Sequence, residues 1–178
     1  MSRFQVVYVL CTVVLCWPTG VSLADDVKQT ELYARIKRSI DSVSAIDTHD
    51  HLHGFNHDSL RVRTPRGNGW TLYSLWSGSY FSWNHSLTPW PTSGEFGEWW
   101  PLAKHDFDDA RAASFYRYML PAFRDLYGVD FDTITDEQAK QLSEQIFDKH
   151  RDSEWPVDVI TRRANIELMF IDPYCGRG

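Results

Sequence analysis

The chain has 178 residues, with 24 Asp and Glu against 18 Lys and Arg, so its formal net charge is −6. Aromatic residues make up 15% of the sequence, and this apolar content excludes an intrinsically disordered chain. The acidic balance argues against a general nucleic-acid-binding protein, which would carry a basic face. We therefore expect a folded protein without a nucleic-acid partner.

Residues 1–24 have the layout of a secretory signal peptide. Arg3 supplies a positive charge, an apolar run follows over 4–17, and small residues lead up to Ala24. The run is shorter than the roughly 20 residues that span a bilayer. We expect a secreted or periplasmic protein with no stable membrane span after removal of this segment. Only Cys175 follows residue 24, so no internal disulfide is expected.

The remaining sequence, 25–178, begins with a helix and a strand. Apolar residues at three- and four-residue steps predict a helix over 25–42. A short, partly β-branched segment over 44–49 predicts a strand that ends near His51. From residue 52 the sequence becomes rich in Gly, Pro, Ser, Asn and Trp without regular periodicity. This texture predicts a long insertion over about 52–107.

Helical periodicity returns at Asp108 and ends at Gly128, which suits the left-handed position after a helix. Pro121 inside this stretch predicts a kink or a split into two helices. Thr135 begins a capping box for a further helix, and a short helix is predicted to open at Trp155. The order of these signals indicates a helical segment between two strands.

A second strand, mostly buried, is predicted over 166–171. Strand, helical excursion and strand is the order of a parallel βαβ unit, here with an unusually long crossover. The insertion follows the C-terminal end of the first strand, where parallel α/β proteins build their active sites. The predicted fold class is therefore α/β.

Three histidines stand at alternate positions where the first predicted strand ends: His49, His51 and His53. In an extended chain His49 and His51 would face the same side, with their backbones about 7 Å apart. Neutral imidazole suits zinc, iron, nickel or copper better than magnesium or calcium. The alternative is a polar strand end without a metal. Two or three ligands would form an open site that residues elsewhere complete.

The segment 46–52, IDTHDHL, resembles the opening motif of the amidohydrolase superfamily, whose first-strand His-x-His supplies two metal ligands. The layout is most similar to the uronate isomerase branch, because aromatic segments such as 72–76 and 80–83 follow the motif. The resemblance implies the N-terminal part of a (β/α)8 TIM barrel, with a helical and aromatic insertion after strand 1 and the metal at the C-terminal mouth.

In that superfamily, histidines after the fifth and sixth strands and an aspartate after the eighth complete the site. The resemblance therefore places the catalytic residues beyond Gly178, and we expect residues 25–178 to be inactive alone. His49 and His51 are the implied metal ligands. His53 is interpreted as a substrate group or as a polar loop residue, and Tyr80 and Trp83 are the candidates for contacting substrate.

Six tryptophans fall between residues 70 and 100. They could form an aromatic wall for a sugar-like substrate, or they could pack an insertion that has little regular structure. Self-packing is the favoured interpretation for any single tryptophan.

The leading hypothesis is a metal-dependent hydrolase of the amidohydrolase type, with zinc as the expected metal. A metal-activated water would attack a C–N or C–O bond of a small polar substrate. The alternatives are a uronate (glucuronate) isomerase, which interconverts an aldose and a ketose, and a non-catalytic carbohydrate-binding module. Self-association into a homo-oligomer is left open.

Overall fold

The computed structural model describes residues 27–50 and 58–171. The predicted signal peptide, His51 and His53 lie outside these residues. The chain divides into two compact units, residues 1–43 and 44–178. Within the described ranges, no helix combines the length and the apolar character that crossing a membrane requires.

In the first unit, helix α1 spans Glu31–Asp41. The helix predicted over 25–42 is interrupted at residues 29–30, because residues 27 and 28 are helical and Thr30 then caps a new helix. The Thr30 side chain accepts a hydrogen bond of 3.1 Å from the backbone N–H of Tyr33. The apolar residues Leu32 and Ile36 lie on one helical face and are at least half exposed, at 56% and 50%. The predicted periodicity is therefore correct, but this face is not buried.

The second unit contains four strands and seven helices among its described residues. In chain order these are β1 (Ala45–Asp50), β2 (Val62–Thr64), β3 (Gly67–Gly69), α2 (Leu72–Ser77), α3 (Phe81–Asn84), α4 (Phe96–Ala110), α5 (Ser114–Arg117), α6 (Leu120–Tyr127), α7 (Asp136–Lys149), α8 (Glu154–Asp158) and β4 (Ile166–Ile171). Short 3-10 turns at Asp58–Leu60 and Phe131–Thr133 and a π-helical turn at Val159–Arg163 complete the unit.

Strands β1 and β4 pair in parallel, which confirms the predicted βαβ order. Strand β4 has the predicted bounds, but the prediction that it is mostly buried is wrong. Phe170 and Ile171 point to opposite faces of the sheet, and both are more than half exposed, at 55% and 57%. The helices bury their apolar side chains in a core of their own, so this two-stranded sheet is left largely uncovered. The described residues form an α/β structure but no barrel.

The core of the second unit is a cluster of aromatic rings around Trp76, which is completely buried. Its ring centroid lies 4.7 Å from that of Phe107 and 5.2 Å from that of Phe131. Trp99 and Trp100 are also buried, at 1% and 4% exposure. The interpretation that the tryptophans pack the insertion is confirmed for these three residues.

The region predicted to be irregular contains more regular structure than expected. Helix α4 begins at Phe96, twelve residues before Asp108, and continues through Pro101. The buried side chains on α4 recur at helical spacing, as Trp99, Ala103, Phe107 and Ala110. This periodicity is hard to recognise in the sequence because Pro101, a residue that is disfavoured in helix interiors, interrupts it.

The helical predictions downstream are confirmed in type, although the stretch predicted to be helical from Asp108 is interrupted at residues 111–113. Pro121 lies in the first turn of α6, and the predicted split separates α5 from α6. Gly128 ends α6 in the left-handed region, with φ of 71°. Thr135 caps α7 through the predicted capping box, in which the Gln138 side chain accepts from the Thr135 N–H at 3.0 Å. Trp155 lies in the short helix α8.

Candidate functional site

The C-terminal ends of β1 and β4 lie at the same edge of their parallel sheet. Ala45 pairs with Ile166 at one end, and Asp50 pairs with Ile171 at the other. His49 therefore lies at the edge formed by both C-terminal ends. In parallel α/β proteins this is the edge at which ligands bind.

The end of β1 is irregular. Asp47 pairs with Met169 and Asp50 with Ile171, so three steps on β1 match two on β4. This shift has the character of a β-bulge, a feature that re-aims side chains and is common beside active sites. The Asp47 carboxylate accepts a hydrogen bond of 3.1 Å from the His49 backbone N–H. The alternation used to predict the direction of His49 is therefore broken at this position.

Of the predicted metal ligands, the structure describes only His49, whose side chain is exposed at the end of β1. His51 lies outside the described residues, as does the predicted substrate group His53. Within 27–50 and 58–171, no three histidine, cysteine or acidic side chains form a group that could hold a metal ion. The metal site at His49 and His51 stays a prediction.

Tyr80 and Trp83 belong to a group of rings at the surface, here called the aromatic patch, which consists of the exposed Tyr80, Trp83 and Tyr118 and the half-buried Phe115. Trp83 is 71% exposed and Tyr80 is 43% exposed, and their ring centroids lie 5.2 Å apart in an edge-to-face arrangement. Phe115 connects Tyr80 to Tyr118. Exposed rings of this kind are available to a ligand, unlike the buried tryptophans of the core.

A concave region lies between the β2–β3 hairpin and the C-terminal end of α7. This basic cleft has a volume of about 320 Å³, and it is lined by Arg61, Arg66, Asn68, Gly69, Trp70, Phe147, His150 and Arg151. Among the residues that the structure describes, no acidic side chain lines it. The sequence does not reveal the cleft, because Arg61 and Arg66 lie 85 or more positions before Arg151 and no local spacing connects them.

His150 forms part of the wall of the basic cleft. Burial lowers the pKa of its imidazole to about 4, so the ring is neutral near pH 7. Its Nε2 lies 3.4 Å from the hydroxyl oxygen of Tyr127, and burial raises the pKa of that phenol to about 12. His150 is therefore a packed, neutral ring in the wall of the basic cleft.

Arg66 and Phe147 separate the basic cleft from a second, more apolar cavity of about 250 Å³. The Arg66 guanidinium lies over the Phe147 ring, 4.5 Å from its centroid, and forms an ion pair with Asp148. The hydrogen bond from Arg66 holds the pKa of the Asp148 carboxyl below its usual value. The charge of Arg66 is therefore fixed in position at the boundary of the two cavities.

Comparisons with known protein families, curated proteins and solved structures give no match for this chain. The resemblance to the amidohydrolase superfamily therefore rests on the segment 46–52 and on the order of the elements. A functional assignment has to be argued from the chemistry of these sites.

Proposed function

We propose that this chain carries the first metal-binding segment of a metal-dependent hydrolase of the amidohydrolase type. The observation that supports it is the parallel pairing of β1 and β4, which puts His49 at the edge where both strands end. Two parallel strands joined by a long helical crossover also match the first strands of a (β/α)8 barrel, so the barrel is part of the proposal.

The residues present fit a transition metal. His49 is exposed, so its imidazole can be a metal ligand together with His51, and nitrogen donors favour zinc over magnesium or calcium. Asp47 accepts from the His49 backbone N–H and so restrains the chain beside the ligand. When bound, zinc supplies a Lewis acid and lowers the pKa of a bound water toward neutrality. The proposed reaction is hydrolysis of a C–N or C–O bond in a small polar substrate, and His53, Tyr80 and Trp83 are the proposed substrate contacts.

Zinc binding tests the roles of His49 and His51 directly. The zinc affinity of the full chain is measured by competition with a chromogenic chelator, for the wild type and for the His49→Ala, His51→Ala and His105→Ala variants. His105 is the matched control, because it is an exposed histidine on α4. We expect the first two substitutions to weaken zinc binding by at least tenfold, and the third to leave it unchanged. Equal affinities in all four proteins would contradict the proposal.

The uronate isomerase alternative predicts the same metal ligands but a different reaction. This difference is tested with a zinc-loaded protein that also contains the catalytic residues that the resemblance implies beyond Gly178. Interconversion of glucuronate and its keto isomer, without hydrolysis of amides or esters, would favour the isomerase. The leading proposal predicts that this protein hydrolyses an amide or ester and does not interconvert glucuronate and its keto isomer.

The aromatic patch supports a second candidate function, carbohydrate binding. Exposed, edge-to-face rings such as Tyr80 and Trp83 can pack against the apolar face of a pyranose. Affinity electrophoresis in gels that contain soluble polysaccharides tests this candidate. Trp83→Ala should abolish any retardation, whereas Leu102→Ala, which removes a 58% exposed side chain from α4, should not. Equal retardation of both variants would contradict a role for the patch.

A further inference from the structure

The basic cleft concentrates positive charge on a chain whose formal net charge is −6. Three guanidinium groups, from Arg61, Arg66 and Arg151, line a cavity of about 320 Å³. The rings of Trp70 and Phe147 form apolar parts of the wall, and Asn68 adds an amide. A cavity of this size lies at the lower end of the range of small-molecule sites, roughly 300–1,000 Å³.

The acidic side chains near the cleft act mainly on Arg66. Asp148 forms an ion pair with Arg66, and the Glu144 carboxylate acts on Arg66 at longer range. Among the described residues, no carboxylate lies within ion-pair distance of the Arg151 guanidinium, although Asp148 acts on it at longer range. His150 is neutral near pH 7 and adds no charge. The positive charge of Arg151 is therefore the one that a bound anion would balance most directly.

We propose that the basic cleft binds the oxyanion group of a small organic molecule, with the guanidinium groups of Arg66 and Arg151 as its anion contacts. The planar fork of a guanidinium matches both a carboxylate and a phosphate, and it can donate two parallel hydrogen bonds to either. The volume of about 320 Å³ suits a small molecule rather than an extended polyanion. This site is separate from the proposed metal ligands, so the two proposals stand or fall independently.

A series of three small molecules distinguishes the sources of the oxyanion. Glycerol is neutral, glycerate carries a carboxylate, and glycerol 3-phosphate carries a phosphate ester, while the carbon skeleton is nearly constant. Binding is followed in the full chain by the NMR signal of the Trp70 indole N–H, which is identified by its loss in Trp70→Phe. Low salt is used, because screening weakens interactions between exposed charges.

The variants are chosen so that their effects have opposite signs. Arg151→Gln removes the guanidinium that has no close carboxylate among the described residues and should weaken anion binding by roughly fivefold or more. Asp148→Asn removes the nearest negative charge and should strengthen anion binding, whereas damage to the fold would weaken it. Arg124→Gln is the control, because Arg124 is an exposed arginine of α6 that pairs with the neighbouring Asp125.

Saturable binding of glycerate or glycerol 3-phosphate, without binding of glycerol, is the expected result, and the tighter of the two anions identifies the oxyanion. Three results would overturn the proposal. The first is the absence of any saturable shift with either anion. The second is equal binding of glycerol. The third is an Asp148→Asn variant that binds more weakly while Arg151→Gln binds as the wild type does.

Discussion

The rings of Trp70 and His150 lie face to face, with centroids 4.7 Å apart and planes inclined by 9°. Trp70 follows strand β3, and His150 follows the last residue of α7. The stack therefore connects the β2–β3 hairpin to the C-terminal end of α7. It also keeps the imidazole away from water, which lowers its pKa to about 4.

The low pKa of His150 makes the stability of the fold dependent on pH. The pKa falls from 6.5 to about 4 on folding, so the unfolded chain binds the proton more readily between these values. The free energy of unfolding therefore has its full His150 contribution above about pH 6.5 and loses it as the pH falls toward about 4, by up to about 3 kcal/mol. Urea unfolding at several pH values measures this dependence.

The His150→Phe variant isolates the effect of His150 protonation on stability, because phenylalanine keeps a ring against Trp70 but cannot bind a proton. We expect the variant to lose less stability than the wild type between about pH 6.5 and about pH 4.5. The control is His105→Phe, an exposed position that should keep the wild-type slope. A His150→Phe variant with the same slope as the wild type would show that another group is responsible.

Gly69 lies against the ring of Phe147, and a substitution there should destabilise the hairpin contact. A Cβ at Gly69 would lie 2.3 Å from the Cε2 atom of the Phe147 ring, which is too close for two carbons. We expect Gly69→Ala to lower the free energy of unfolding by about 1–3 kcal/mol. Thermal and urea unfolding followed by circular dichroism measure the loss.

Gly97→Ala is the matched control for Gly69→Ala. Gly97 is in the first turn of α4, and apart from its chain neighbours and the nearby backbone of α4, no atom of the described residues lies within 4 Å of a Cβ placed there. Alanine restricts the unfolded chain and suits a helix, so this substitution should stabilise the protein by a few tenths of a kcal/mol, up to about 1. Equal destabilisation by both substitutions would contradict the close contact with Phe147.

Two buried tryptophans differ in their indole N–H groups, and this difference predicts unequal costs of substitution. The Trp99 indole donates a hydrogen bond of 2.9 Å to the backbone carbonyl of Thr88. The buried Trp76 indole nitrogen has no hydrogen-bond partner among the described residues. Phenylalanine at Trp99 would leave the Thr88 carbonyl without its donor, whereas phenylalanine at Trp76 would remove an unpaired donor from the core.

Both substitutions remove a similar side-chain volume. The losses in the free energy of unfolding that come from the two cavities should therefore nearly cancel when the variants are compared. We expect Trp99→Phe to destabilise the protein by about 1 kcal/mol or more beyond Trp76→Phe, as judged by urea unfolding. A larger loss for Trp76→Phe would indicate that its indole N–H is paired in the folded protein.

Local signals were sufficient to predict much of the fold. A capping box at Thr135 begins one helix, the missing N–H of Pro121 limits another, and Gly128 ends that helix with a left-handed backbone. Each of these effects involves only nearby residues, so it can be predicted from the sequence. Burial is different, because it depends on which elements pack together. Strand β4 has an apolar sequence and remains exposed, since the helices pack with one another.

The basic cleft and the irregular end of β1 could not be predicted for the same reason. Arg66 and Arg151 are brought together by the packing of the hairpin on α7, and no periodicity in the sequence relates them. The expectation that His49 and His51 share a face assumed a regular strand, whereas the register shift after Asp47 depends on the pairing with β4. His-x-His spacing indicates the type of ligand but not its direction.

Zinc-edge X-ray absorption of the zinc-loaded full chain tests most directly whether His49 is a zinc ligand. We expect an imidazole nitrogen shell at about 2.0–2.1 Å from the zinc. The amplitude of this shell should fall in His49→Ala and remain unchanged in His105→Ala. An identical imidazole shell in the wild type and in His49→Ala would contradict the proposed role of His49.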